Sequence, residues 1–394
     1  MPLPTVSPLV LLPGYLAAGR AALAVPHRGW RIKCFAAVNV AVALWAYADA
    51  RSRASLTGFA TYAALTALYW VPLRLARLPG AWPWLAFALP VGALAAMKWG
   101  SAGPHAAVGA SYQAFRLSYL ALEVRNALVP FPTLCEYLGF AFFVPTFVVG
   151  PISRYAQHRQ SLEQPEPAAT PALSALARLA VGAAKFLFLG NLANQVAYTG
   201  LLLDGRRHGV LDLGVAAVAY YLYLYCNFSG FCDMAIGAAG LLRIRVSENF
   251  DAPLAARNLQ DFWNRWHITL SAWMRDVLFT PLSKELVRRL PPKAAPHALA
   301  LTITVVFLVV GVWHGTGWQY FWFGALHAAG VVAHHYYVLW LKRRLGKAGM
   351  AAYTANRAIA AAATAATFAY VSATFFVFAN DADSARRIWH AVAG

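Results

Sequence analysis

His314 stands in Gly311-Val-Trp-His-Gly-Thr-Gly-Trp318, between two stretches, 298–312 and 318–341, that carry no charged side chain other than histidine. An ionisable group among residues apolar enough for hydrocarbon is costly, and by default it marks function. Imidazole changes charge near neutrality, so proton transfer is the chemistry it suits. A second group precedes it, Asp261-Phe-Trp-Asn-Arg-Trp-His-Ile-Thr-Leu-Ser-Ala-Trp-Met-Arg-Asp276. At helical spacing Trp263, His267, Leu270 and Met274 share one face, and no face is cleanly polar. Such a helix is either interfacial or cavity-lining with its charges paired internally, or amphipathic and resting on the bilayer surface.

Other polar groups read as structural. Asp233 lies in an apolar run and needs an internal partner, such as Arg243 or Arg245. Arg116 could play the same part or hold an anionic donor phosphate. His334 and His335 approach a basic helix end and belong at the interface. The four cysteines, Cys34, Cys135, Cys226 and Cys232, lack metal-ligand spacing and read as buried free thiols. No Gly-x-Ser-x-Gly elbow is present for serine chemistry, and no clustered ligand set for zinc.

The elements that must position these groups follow from composition. Of 394 residues 60% are hydrophobic and only 12% charged, about half the charged share of a soluble domain. The chain is therefore a polytopic membrane protein. Its 14 Trp and 18 Tyr suit bilayer interfaces or a polar cavity. The formal charge of +18 falls in short clusters between apolar runs, which sets topology and meets anionic lipid headgroups rather than nucleic acid. A spanning helix needs roughly 20 apolar residues. The expected segments are 34–49, 55–73, 80–97, 105–123, 134–150, 174–203, 211–241, 298–312, 318–341 and 357–379, with 9–25 weaker because of Arg20 and two prolines. The expectation is an all-α fold of about 9–11 transmembrane or re-entrant helices, with 1–104 as N-terminal membrane helices and 105–394 as the core. Residues 160–171 read as a solvated loop. The start, Met1 to Pro8, lacks a basic stretch and reads as part of the mature protein.

Lys284, Arg288, Arg289 and Lys293 precede the 298–312 segment, and Lys342, Arg343, Arg344 and Lys347 follow 318–341. Both ends of this hairpin should face the cytoplasm, and its tip away from it. An arm of 298–312 rises about 22 Å, short of the ~30 Å hydrocarbon core. His314 is thus expected within the membrane, past the midplane, where glycines 311, 315 and 317 loosen the backbone. A non-helical backbone at that depth lines a wet cavity or is packed in protein.

Phe262-Trp-Asn-Arg-Trp-His-Ile-Thr-Leu-Ser-Ala-Trp-Met-Arg-Asp276 and Val312-Trp-His-Gly315 resemble the membrane-bound O-acyltransferase (MBOAT) family. Val149-Gly-Pro-Ile-Ser-Arg-Tyr155, Asn227-Phe-Ser-Gly-Phe-Cys-Asp-Met-Ala-Ile-Gly237 and Glu248-Asn-Phe-Asp-Ala-Pro253 support this. The motifs occur in order over roughly 105–341 and look like the bacterial branch of alginate and polysaccharide O-acetylases and the teichoic-acid D-alanyl transfer protein. Phe143-Val-Pro-Thr-Phe147 resembles the D-alanyl side, and Phe228-Ser-Gly-Phe-Cys-Asp the acetylases. The acyl group stays open between them.

The resemblance implies helices around a central tunnel in a bacterial cytoplasmic membrane. It implies no bound cofactor. An acyl thioester would arrive from the cytoplasm on a pantetheine arm, of acyl carrier protein or of acetyl-CoA. A hydroxyl of an envelope polysaccharide would accept the acyl group, directly or through a partner acyltransferase. His314 corresponds to the family's invariant histidine, with the role of general base. His267 corresponds to the second histidine, which would orient substrate, polarise the carbonyl or complete a hydrogen-bond chain. Trp313, Trp266 and Asn264 would line the substrate cavity. His327 precedes Ala328 where the family often has His-Gly, and reads as a buried, hydrogen-bonded histidine. The rival is a transporter or flippase with a histidine-lined path; its signature, an inverted internal repeat, is not visible.

Overall fold

A computed structural model describes residues 8–48, 53–99, 109–163 and 171–393. Among these there are helices and no strands. In chain order they are α1 (Pro8–Leu23), α2 (Arg28–Ala48), α3 (Arg53–Leu68), α4 (Trp82–Trp99), α5 (Ala110–Arg125), α6 (Leu134–Ala141), α7 (Tyr155–Glu163), α8 (Ala172–Ala184), α9 (Gly190–Gln195), α10 (Tyr198–Leu201), α11 (Val210–Leu241), α12 (Leu259–Arg265), α13 (Ile268–Met274), α14 (Thr280–Arg289), α15 (Ala295–His314), α16 (Trp318–Ala355), α17 (Arg357–Ala379) and α18 (Ala382–Ala393). The all-α, polytopic expectation holds. Among the described residues four helices are long and apolar enough to cross a membrane: Ala172–Gln195, which joins α8 to α9 through a π-turn, then α11, Pro292–His314 and α17. The boundary expected at 104/105 and most of the loop 160–171 lie outside the described residues.

The chain divides into two compact units, Met1–Ala183 with Phe231–Ser247, and Ala184–Gly230 with Glu248–Gly394. In the first, Tyr15, Phe35, Phe143, Leu162, Leu242 and Ile244 share one apolar core. The segment expected to span 134–150 is α-helical only to Ala141. Its start is held by a capping box in which Thr133 and Glu136 bond each other's backbone N–H groups, and the remainder is a short 3-10 turn and irregular chain.

Arg116, fully buried, takes up carbonyls of the last turn of α6 and of the stretch that follows it. Its guanidinium donates to Phe140 O and, at 3.5 Å, to Thr146 O, and lies 4.5 Å above the Phe140 ring. A cation spent on backbone carbonyls is a structural clamp rather than a phosphate ligand. Asp233 pairs with Arg178 at 3.0 Å. Arg243 follows the end of α11 in a left-handed turn, φ 60°, whereas Arg178 lies on α8.

In the second unit, Tyr221, Phe262, Trp266, Phe323, Val371 and Phe375 form an aromatic core. Helix α15 is longer than expected. A 3-10 turn, Pro292–Ala294, leads into it, proline sits in its first turn where no N–H is needed, and it runs unbroken through His314. Its 20 residues rise about 30 Å, enough to cross the hydrocarbon core. The arm is therefore longer than the stretch 298–312. Gly311 does not loosen this backbone. It lies inside the helix because α16 crosses there: a Cβ on Gly311 would come 3.2 Å from the Gly324 Cα, and a Cβ on Gly324 would come 2.5 Å from the Phe307 carbonyl oxygen. Helix α16 continues beyond Leu341 and kinks at Gly346, φ 61°, among the basic residues.

Candidate functional site

The stretch 261–276 is two helices, not one. Helix α12 ends at Arg265, Trp266 is extended (φ −104°, ψ 127°), and His267 adopts the left-handed conformation (φ 46°, ψ 51°) before α13 begins. Neither glycine nor proline marks the break. A distant segment makes it: Phe250 and Trp266 form an antiparallel bridge, Asp251 N–H donates to Arg265 O at 3.0 Å, and Ile268 N–H donates to Asn249 O at 3.0 Å. Backbone bonding to residues 249–251 replaces the helical ladder, so the expected common face of Trp263, His267, Leu270 and Met274 does not form. A left-handed non-glycine residue costs roughly 1–3 kcal/mol and persists only where its surroundings over-determine it.

Asn249, 1% exposed, supplies that determination. Its side-chain Oδ1 accepts from Thr269 N–H at 3.2 Å and from the Thr269 hydroxyl at 2.8 Å, and lies 3.1 Å from His267 Nδ1. A backbone N–H only donates, so the shared atom is the amide oxygen, and Nδ1 must carry the proton. His267 is 4% exposed and lies edge-on to Phe228 at 4.8 Å. Burial, with a smaller contribution from charge on His314, pushes its imidazole down to about 3, so it is neutral at ordinary pH.

His314 is the last residue of α15 and half-buried. Its ring lies 4.4 Å from Trp313, 4.9 Å from Phe378 and 5.9 Å from Phe323, the latter two edge-on, and stacks at 6.3 Å on Tyr320. The Trp313 indole also lies 6.5 Å from the His267 ring. The structure thus brings His314, Trp313 and His267 together within one unit. It places the other two expected residues elsewhere. Trp266 is packed in the aromatic core, stacked on Phe262 at 5.5 Å and edge-on to Phe250 at 5.0 Å. Asn264 is exposed on α12.

His327 is fully buried and fully engaged. The Trp263 indole N–H donates to its Nδ1 at 3.2 Å, so its proton is on Nε2, which donates to Thr374 Oγ1 at 3.0 Å. The Thr374 hydroxyl in turn donates a hydrogen bond to Val371 O. Among the described residues no three histidine, cysteine or acidic side chains converge on a metal position, and the four cysteines are free thiols, Cys232 buried and the rest partly so.

Sequence reasoning gave no role to Asn249, Phe228, Tyr320, Phe323 or Phe378. Asn249 was visible inside the Glu248–Pro253 motif, a polar amide in a segment without helical periodicity. The aromatic residues had no signal distinguishing them from core.

A sequence model of the membrane-bound O-acyltransferase family matches residues 34–362. The teichoic acid D-alanyltransferase of Streptococcus thermophilus is 29% identical over 290 residues, 69% of this chain and 68% of that protein. The peptidoglycan O-acetyltransferase of Helicobacter pylori is 31% identical over 237 residues, covering 56% and 42%. A probable alginate O-acetylase of Azotobacter vinelandii is 27% identical over 221 residues, covering 56% and 42%.

Proposed function

The chain belongs to the membrane-bound O-acyltransferase family, and we propose that it moves an acyl group, D-alanyl or acetyl, from a cytoplasmic thioester to a hydroxyl of a cell-envelope glycan or glycopolymer. The donor is carried on pantetheine, by an acyl carrier protein or coenzyme A, and the enzyme sits in a bacterial cytoplasmic membrane with its basic clusters inward. The acceptor polymer is reached directly or through a partner acyltransferase. Teichoic acid D-alanyltransferases match a longer share of the chain than the acetylases do, which makes D-alanyl the first cargo to test.

The observation that carries this function is the meeting of His314 and His267 at one indole, at the far end of a helix long enough to cross the membrane. The acceptor oxygen attacks the thioester carbonyl carbon while His314 takes the hydroxyl proton. The tetrahedral intermediate collapses, the C–S bond breaks, and the imidazolium returns the proton to the departing sulfur, which leaves as the thiol. Such a base contributes ~10²–10⁴-fold. Trp313 and the aromatic rings around His314 shield the reacting groups from bulk water, which strengthens the electrostatics of the step.

The test is thiol release from D-alanyl carrier protein and from acetyl-CoA by the purified chain in lipid, with a soluble glycan hydroxyl as acceptor. Acyl-dependent thiol release with ester formation is expected. A protein that consumes no thioester of either kind but moves solute across the vesicle would be a transporter instead.

A further inference from the structure

We infer that Asn249 is a positioning residue that locks His267 as its Nδ1–H tautomer, so that the second histidine presents an Nε2 lone pair and acts as a hydrogen-bond acceptor, not as a hydrogen-bond donor to the thioester carbonyl. This rests on the acyl-transfer function proposed above and narrows the roles open to His267 within it.

Three bonds converge on one oxygen. Thr269 N–H identifies the acceptor as Oδ1, the Thr269 hydroxyl adds a second donor, and His267 Nδ1 is the third partner. The Asn249 backbone carbonyl meanwhile holds Ile268 N–H at 3.0 Å, so one residue fixes both the left-handed backbone and the ring of His267. The nitrogen that carries the proton is set by the bond the other nitrogen makes. With Nδ1 protonated and the ring neutral, Nε2 has no proton to give to a developing oxyanion. It can accept a hydrogen bond from the acceptor hydroxyl or from the His314 imidazole, whose ring also lies beside Trp313. Holding a histidine in the wrong tautomer is known to abolish most of a base's contribution even when geometry is kept.

The test pairs a spectroscopic readout with a kinetic one. In protein labelled with ¹⁵N-histidine, the His267 signal, assigned by its loss in His267→Gln, should show a protonated Nδ1 and a bare Nε2. Asn249→Leu should mix the tautomers and lower kcat roughly 10²-fold with KM little changed. Asn249→Asp keeps the acceptor oxygens and adds a charge that stabilises imidazolium, so it should retain transfer and move the acidic limb of the pH–rate profile to higher pH. A wild-type signal with Nε2 protonated, a tautomer unmoved in Asn249→Leu, or an Asn249→Asp profile superimposable on wild type would each overturn the inference. The labelled signal is read without substrate: a bare Nε2 in a protein that transfers no acyl group would sink the proposed function and leave the tautomer lock standing.

Discussion

The imidazole of His267 faces the indole of Trp313 with 6.5 Å between ring centres and 58° between ring planes. Trp313 is joined in sequence to His314, so this contact ties the helix break at 266–267 to the end of α15. The two histidines are placed by different means: His314 by the end of a long helix, His267 by a backbone bridge and an amide. Their roles can therefore be separated by substitution.

His314 is half-buried at the end of α15, where its ring packs beside Tyr320, Phe323 and Phe378. His314→Ala should leave thermal unfolding in detergent within a few degrees of wild type while thiol release falls ~10²–10⁴-fold. Transfer at near the wild-type rate in a well-folded His314→Ala protein would remove the base from the mechanism.

At the α15–α16 crossing, Gly324, like Gly311, has no room for a side chain. A methyl there would come 2.5 Å from Phe307 O and 3.2 Å from the Gly311 Cα, both backbone atoms that cannot swing aside. Gly324→Ala should cost about 1–3 kcal/mol through overpacking and shift the end of α15, lowering activity with stability. Unfolding temperature and thiol release measured on the same preparation check it.

His327→Ala would strand the Trp263 indole N–H and the Thr374 hydroxyl in the core. The expected loss is roughly 1–3 kcal/mol per unsatisfied group, with the folded fraction keeping transfer to within about tenfold, less than a general base would contribute. Activity normalised to folded protein separates this structural role from a catalytic one.

Asp233 and Arg178, 14% and 32% exposed, form an ion pair at 3.0 Å. Arg178→Met should destabilise more than the double substitution Arg178→Met with Asp233→Leu, because it takes the guanidinium from a partly buried carboxylate that remains charged. A double-mutant cycle on unfolding in detergent measures it, and additive losses would contradict the pairing.

Acid should weaken the fold through two buried histidines. Burial pushes His158 on α7 and His267 each down to about 3, while an unfolded histidine titrates near ~6.5. The unfolded chain then binds more protons as pH falls through this window, so the stability these groups carry is present above about pH 6.5 and is lost progressively down to about 3. Between pH 7 and 5 the loss should be roughly 1–2 kcal/mol per group. His158→Gln and His267→Gln should each flatten the dependence of unfolding temperature on pH over that range.

Much of this was legible in the residues because hydrocarbon is a strict solvent. An imidazole in the run 298–341 had to be noticed, and the ordered motifs from Val149 to Gly315 pointed to one family. The apolar stretches 211–241 and 357–379 became α11 and α17 almost residue for residue. What escaped were features set by distant contacts. The break before His267 has no local breaker and comes from residues 249–251. The partner of Asp233 lies 55 positions away on another helix. The first turn of α15 was hidden because Ala295-Pro-His297 interrupts the hydropathy that defines a span, although proline in that turn is a start signal.

The left-handed backbone at position 267 also acts as a filter on mutation. Aside from glycine, only histidine, asparagine and aspartate visit that region of conformational space with any ease, and β-branched side chains are close to barred. Random drift at this codon is therefore steered toward replacements that keep a polar group beside Trp313, and His267→Asn is the exchange that subtracts an imidazole with the least disturbance to the chain's course.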